Sequence, residues 1–517
     1  MLRTLILLAT ALCVCNSQAL AAERVVVGSK RFTESYILGE IVSRTAQQSG
    51  AVAVHKPGLG SSAVVLEALK LGSIDVYPEY LGTLEQEILK LPPGSSTARI
   101  REELAKLGLD YAVPLGFSNS YALATTQARA RELSLRTLSD LRGHPDIGIA
   151  LSQEFLGRSD GWPGLAARYR LPQRPTGIDH GIAYEALASG RIAVTDIYTT
   201  DAKIAELGLI VLQDDIGYFP RYDAVLLHRA DLPARAPAAW QQIAALEGRI
   251  DTDRMIRMNG EAELRGRPFA AIAADFVDGR LPDAAGHGGQ RAGLRERLFG
   301  PDFARLTHEH VSLVAVSLGI AVLLGVPLGA AAAARRRLGP WVFAAVGMLQ
   351  TIPSLALLAV LIPLLGRIGT IPAIVALSLY ALLPIVRNTA TGLEQVPVGL
   401  RQAGIALGLT PAQRWRHIDL PLALPVALAG IKTAAVLTVG TATIAAFIGA
   451  GGYGERIAQG LALNDSTMLL AGAIPAAALA LLTQALFEVA ERLTLGRRGG
   501  RSAPASARPL PARAAGR

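Results

Sequence analysis

The chain has 517 residues, a net charge of +9 and two cysteines, long enough for two or three domains with cores of their own. Its charge is split: residues 23–283 hold 29 Lys+Arg against 33 Asp+Glu, so the remainder holds 22 against 9, a net of +13. That excess lies beside apolar runs rather than on a soluble face, which argues against nucleic acid and for a lipid neighbour.

Residues 1–21 read as an export signal, with Arg3, an apolar stretch over 5–14 and the small-residue end Ala19-Leu20-Ala21. Cys13 and Cys15 both fall inside it. The exported chain then has no cysteine, which excludes disulfides, thiolate metal sites and cysteine nucleophiles.

Residues 22–283 have the mixed composition of a soluble domain. β-branched runs at 25–28, 74–76, 147–150, 192–194 and 210–212 alternate with helical stretches, the first starting near Ser35. The pattern predicts an α/β fold with parallel strands, binding a small ligand at their carboxyl ends. No nucleophile–base pair or metal cluster stands out among the eight His. No catalytic residue, metal or cofactor is assigned, and no enzyme is expected. Residues 284–304 read as a linker.

Residues 305–492 read as a membrane domain with five spans at 311–334, 341–365, 368–386, 422–448 and 468–489. If the exported domain is outside, the basic clusters at Arg335-Arg336-Arg337, at Arg387, Arg401, Arg414 and Arg416, and in the tail 493–517 all fall inside. The expected location is the bacterial cytoplasmic (inner) membrane, with the binding domain on its outer side. Gly449-Ala450-Gly451-Gly452-Tyr453-Gly454 satisfies the dinucleotide pattern G-x-G-x-x-G, but it follows a span rather than a strand, so a close-packed turn is the better reading. No G-x-x-x-x-G-K-[ST] occurs, so ATP phosphates would be held by another polypeptide.

The loop between the third and fourth spans carries Gln402-Ala403-Gly404, then Gly408, then Ile418-Asp419-Leu420-Pro421. It resembles the EAA loop of ABC importer permeases, with Gln402 replacing a Glu and Gly404 an Ala. In that family the loop is a helix, a Gly turn and a second helix, docked on a cytoplasmic ATPase. With Gln350-Thr351-Ile352-Pro353-Ser354 and Leu379-Tyr380-Ala381-Leu382-Leu383-Pro384-Ile385, residues 305–490 are similar to osmoprotectant (glycine betaine, choline, carnitine) permeases of the type I importer class.

Residues 24–280 resemble the receptors of the same systems, through Gly28-Ser29-Lys30-Arg31-Phe32-Thr33-Glu34, Ile74-Asp75-Val76-Tyr77-Pro78-Glu79-Tyr80-Leu81-Gly82-Thr83, Glu154-Phe155-Leu156-Gly157-Arg158 and Val194-Thr195-Asp196-Ile197-Tyr198. The resemblance implies a two-lobed clamp, with the chain crossing between lobes near 121–126 and 223–227. It implies an aromatic box of Tyr80, Tyr121, Tyr198 and Tyr222 around a trimethylammonium head, each ring contributing ~0.5–2 kcal/mol. On spacing alone each tyrosine is a core residue; the matching blocks assign them to the box. Thr83 and Arg158 match positions that meet a ligand carboxylate in betaine binders. Asn119 stands where such binders can carry a lysine, which keeps choline in play. The implied partners are a quaternary ammonium ligand, a separate ABC ATPase subunit, a second copy of the membrane domain and membrane lipid. The competing readings are another cargo, a histidine-derived betaine or polar amino acid, and a membrane-anchored sensor, although only about 28 residues follow the last span.

Overall fold

A computed structural model describes residues 23–281, 293–335, 337–463 and 465–496. The expected export signal 1–21, linker residues 284–292 and tail residues 497–517 lie outside the described residues. The chain divides into two compact units. One comprises Met1–Glu309, Leu358–Ala373 and Thr443–Ile474; the other comprises His310–Leu357, Ile374–Ala442 and Pro475–Arg517.

Among the described residues, the first unit contains ten strands: β1 (Arg24–Gly28), β2 (Val52–Lys56), β3 (Val76–Tyr80), β4 (Leu109–Ala112), β5 (Tyr121–Thr126), β6 (Ala150–Ser152), β7 (Thr176–Ile178), β8 (Val194–Tyr198), β9 (Leu209–Val211) and β10 (Ala224–Arg229). Lobe one is built on the sheet β2-β1-β3-β10-β4, and lobe two on β8-β5-β9 with the pair β6-β7. β1 runs parallel to β2 and β3, as the sequence pattern predicts. β10 is antiparallel to β3 and β4, and β5 is antiparallel to β8 and β9. The sheets are therefore not all parallel. β10 enters lobe one from the other lobe, not from a helical crossover on the same sheet, and so arrives in the opposite direction.

The two crossings occupy residues 113–120 and 212–223, between β4 and β5 and between β9 and β10. They pair through a bridge between Ser118 and Asp223 and a 3.0 Å bond from Asn119 N–H to the Tyr222 carbonyl. The expected crossing residues 121–126 and 223–227 fall slightly later, mostly as the first strands inside each lobe. Strand β3 likewise starts two residues after the expected Ile74 and runs to Tyr80, all five residues buried.

Burial explains the order of these elements. Val25 and Val27 alternate along β1 and are fully buried. Ile37, Leu38, Ile41 and Val42, spaced for one face of the helix Thr33–Gln47, are buried in the same core cluster. Each such side chain contributes ~1.5–3 kcal/mol.

Among the described residues, four helices are long and apolar enough to cross a membrane: Phe303–Ala334, Thr370–Glu394, Pro411–Ile448 and Ser466–Arg492. The span expected over 341–365 is instead a pair, Gly339–Thr351 and Ser354–Leu365, bent by 101°. Pro353 supplies no N–H and pushes Ile352 to an extended ψ of 125°, which stops the first helix. Five spans result only if this bent pair crosses. In the second unit, close helix contact relies on small residues: Ala321 and Ala434 are fully buried, and a Cβ on Gly430 would lie 2.6 Å from the Pro384 carbonyl.

Candidate ligand site and coupling loop

The carboxyl ends of β3 and β8 and the start of β5 carry Tyr80, Tyr198 and Tyr121. Tyr121 and Tyr198 are direct cross-strand partners, so their side chains share a face and their rings lie 5.1 Å apart. Tyr222, in the second crossing, sets its ring edge-on to Tyr121 at 5.9 Å. Phe32, at the amino end of the helix Thr33–Gln47, lies 5.2 Å from the Tyr198 ring and 6.3 Å from Tyr80. The four expected tyrosines thus belong to one aromatic run, in which Phe32 joins Tyr80 to Tyr198; Phe32 was not assigned to it from sequence. The available signal was its place between a strand end and a helix start, where α/β folds present ligand groups.

Beneath the rings lies Glu34. Its Oε1 accepts from the Tyr80 hydroxyl at 2.5 Å and Asn119 Nδ2 at 2.9 Å; its Oε2 accepts from Thr200 Oγ1 at 2.5 Å and Asn259 Nδ2 at 3.3 Å. Burial raises its pKa, against the opposing pull of these four donors. Asn119 is therefore occupied by a protein carboxylate. Lys30 pairs with the buried Glu79 at 2.6 Å, its ammonium 4.7 Å from the Tyr80 ring centre.

Arg158 and Thr83 meet each other. The guanidinium donates to both oxygens of Asp160, at 2.7 and 2.6 Å, and to Thr83 Oγ1 at 3.1 Å. Asp160 also accepts the Tyr222 hydroxyl at 2.8 Å. Arg158 is 4% exposed. A buried carboxylate already fills the fork that a ligand carboxylate would use.

A cleft of about 450 Å³ opens between the lobes, with Phe32, Glu154, Arg158, His180 and Tyr198 in its wall. Of the six expected site residues, Arg158 and Tyr198 reach this wall. Tyr80, Thr83, Tyr121 and Tyr222 are buried behind it. The lobes are shut on one another: besides Thr83–Arg158, Ser62 Oγ meets Glu154 Oε1 at 3.4 Å and Ser159 Oγ meets Glu87 Oε2 at 3.1 Å.

In the second unit, the loop with the EAA-like spacing folds as a helix Val398–Ala406, a turn, a short helix Pro411–Arg414 and a π-helical turn Trp415–Asp419. Gly408 makes the turn at φ +75°, a conformation that disfavours any side chain. Gly404 is buried, and a Cβ there would lie 2.7 Å from Ile418 Cδ1, so the missing methyl makes room for Ile418. Arg401 ties the two arms together, bonding Asp419 and the Leu393 carbonyl, each at 2.6 Å. Gln402, Ala403 and Leu420 are exposed, Ile418 and Pro421 partly so. Ile405, Leu407 and Trp415 add an exposed apolar surface.

Two family descriptions match the chain: the substrate binding domain of ABC-type glycine betaine transport systems over residues 23–279, and the binding-protein-dependent transport system inner membrane component over 325–495. The osmoprotectant import permease protein OsmW of Salmonella typhimurium is 46% identical over 183 residues, 35% of this chain and 85% of that protein. The chain belongs to this family of ABC importer permeases.

The choline transport system permease protein OpuBB of Bacillus subtilis is 42% identical over 193 residues, 37% of this chain and 88% of that protein. A solved structure of a glycine betaine/carnitine/choline ABC transporter aligns with 49% of this chain and 98% of its own, at 27% identity and a TM-score of 0.42. The importer resemblance read from sequence is the family these matches show, with binding domain and permease on one polypeptide. A permease of this kind works with an ATPase and a small ligand.

Proposed function

We propose that this importer captures a quaternary ammonium compound such as glycine betaine, choline or carnitine outside the membrane and passes it inward, driven by a separate cytoplasmic ATPase. The observation that supports the cargo class is the aromatic run Tyr80–Phe32–Tyr198–Tyr121–Tyr222 standing over Glu34. A trimethylammonium head has no N–H to donate and is best held by ring faces. Glu34 is met by neutral donors, whereas Glu79 has Lys30 and Asp160 has Arg158. That leaves a carboxyl beside the rings for a cationic ligand to meet, and such a ligand would favour its ionised form against the burial that raises its pKa.

The rings touch in the closed clamp, so the head group enters as they spread, reaching Phe32 and Tyr198 first from the cleft. The names of OpuBB and OsmW, a choline and an osmoprotectant permease, point the same way. Arg335 and Arg337 share a side with Arg387, Arg401, Arg414 and Arg416 if the bent pair and Thr370–Glu394 both cross. That side is the cytoplasm, where the apolar Ile405–Leu407–Trp415 surface docks on the ATPase. Two copies of the membrane domain pair in the lipid bilayer to form the path.

Titration calorimetry of the full chain in lipid nanodiscs against choline, glycine betaine and carnitine tests the cargo. Heat with at least one of them supports it. A folded sample that answers none of the three removes the class.

A further inference from the structure

We infer that permease segment 443–463 reads the closure of the two lobes through Arg31 and Gly181. In lobe one the Arg31 guanidinium carbon lies 4.2 Å from the Phe447 ring centre. Its buried Nε has no hydrogen-bond partner among the described residues, and the Phe447 ring face lies against this cation. Leu59, from the same lobe, is fully buried against the glycine turn: a Cβ on Gly449 would lie 2.4 Å from Leu59 Cδ2. That turn is held by Glu309, whose Oε2 accepts the Gly452 N–H at 3.0 Å. Its Gly449, Gly451 and Gly452 take φ of +71°, +85° and +81°. This is the close-packed turn that the sequence pattern implied.

In lobe two the contact is Gly181, second residue of the helix His180–Ala188. A Cβ there would lie 2.1 Å from the Leu461 carbonyl oxygen, so only glycine admits the approach. Both contacts are next door to the aromatic run. Arg31 precedes Phe32, and Gly181 follows His180, whose ring lies 4.6 Å from Tyr198. One short permease segment thus touches each lobe one residue away from the rings. Because the segment is tied down by Glu309 and by close glycine contacts, it fits both lobes at a single separation. Opening the clamp breaks at least one contact.

The inference rests on the importer reading but not on the cargo, and its test contains no ligand. In full-length chain carrying Cys13→Ser and Cys15→Ser, the pairs Arg31→Cys with Phe447→Cys and Ile182→Cys with Leu461→Cys, the second leaving Gly181 in place, are cross-linked by a short bis-maleimide. Ser62→Trp and Glu154→Trp then wedge the lobes apart from opposite sides of their 3.4 Å contact. Two wedges guard against one variant misfolding. Both pairs should cross-link in the unwedged chain, and a folded wedge variant should slow one pair at least tenfold. Rates unchanged by either wedge, or failure of either pair to cross-link without a wedge, would overturn the inference.

Discussion

The Tyr80 hydroxyl donates to Glu34 Oε1 at 2.5 Å, whereas the Tyr198 hydroxyl pairs with the hydroxyl of Tyr121. Two tyrosines of one aromatic run therefore differ in what their oxygens do. Tyr198→Phe keeps the ring face and should change ligand affinity by less than about 1 kcal/mol. Tyr80→Phe leaves a buried carboxylate one donor short and should cost about 1–3 kcal/mol of stability. Tyr198→Ala should weaken binding by ~1–3 kcal/mol through lost ring contact. Calorimetry and thermal unfolding on the same variants separate these effects; equal behaviour of the two Phe variants counts against the Glu34 assignment.

Arg158→Ala should destabilise the receptor rather than sort ligands by charge. The substitution strands Asp160, which is 1% exposed and otherwise takes both guanidinium bonds. Breaking such a pair costs about 3–5 kcal/mol. Affinity for choline and glycine betaine should fall together as the midpoint of thermal unfolding drops. A selective loss of betaine, with unfolding unchanged, would show instead that Arg158 serves the ligand carboxylate.

Glu263 should make the receptor less stable as pH rises. Burial, and then the negative charge of Asp201, push its carboxyl from 4.5 up to about 7. A group that holds its proton more tightly when folded contributes stability that is complete below its unfolded pKa and is lost as pH rises through the folded one. The loss therefore falls between roughly pH 4.5 and 7 and levels off above that window. Glu263→Gln stays neutral and should gain on the parent more at pH 8 than at pH 5. Unfolding temperatures at the two pH values decide it, and a parallel offset at both would refute the assignment.

Gly408→Val should uncouple transport from ATP. At φ +75° a β-branched residue is strained by about 1–2 kcal/mol or more, although no neighbour lies within 4 Å of the added Cβ. The turn, not the packing, is what suffers. Uptake of radiolabelled choline with the cognate ATPase should be lost, while choline binding by the same chain persists. Normal uptake would remove the coupling role of this loop.

Several features were legible in the residues themselves because they are local. The spacing Gln402–Gly408–Leu420 encodes its own helix, turn and helix, and the one positive-φ position falls on the glycine that marked it. Apolar length marked the membrane helices, and Tyr80 and Tyr198 stood in blocks recognisable by type and order. Where those tyrosines point depends on pairings between residues far apart in sequence. Tyr121 meets Tyr198 because β5 and β8 pair antiparallel, and Phe32 joins them because a helix start abuts the ends of other strands. Arg158 stands two residues from Asp160, but its burial and its grip on Thr83 exist only when the lobes close. The bend of 101° at Pro353 likewise outweighs a hydropathy that runs straight through it. Sequence by itself determined which chemical groups the chain carries and where local backbone geometry must turn. Tertiary structure decided which group neutralises which, because charge pairing and ring contact fall off within a few ångströms, and only the folded chain sets those distances.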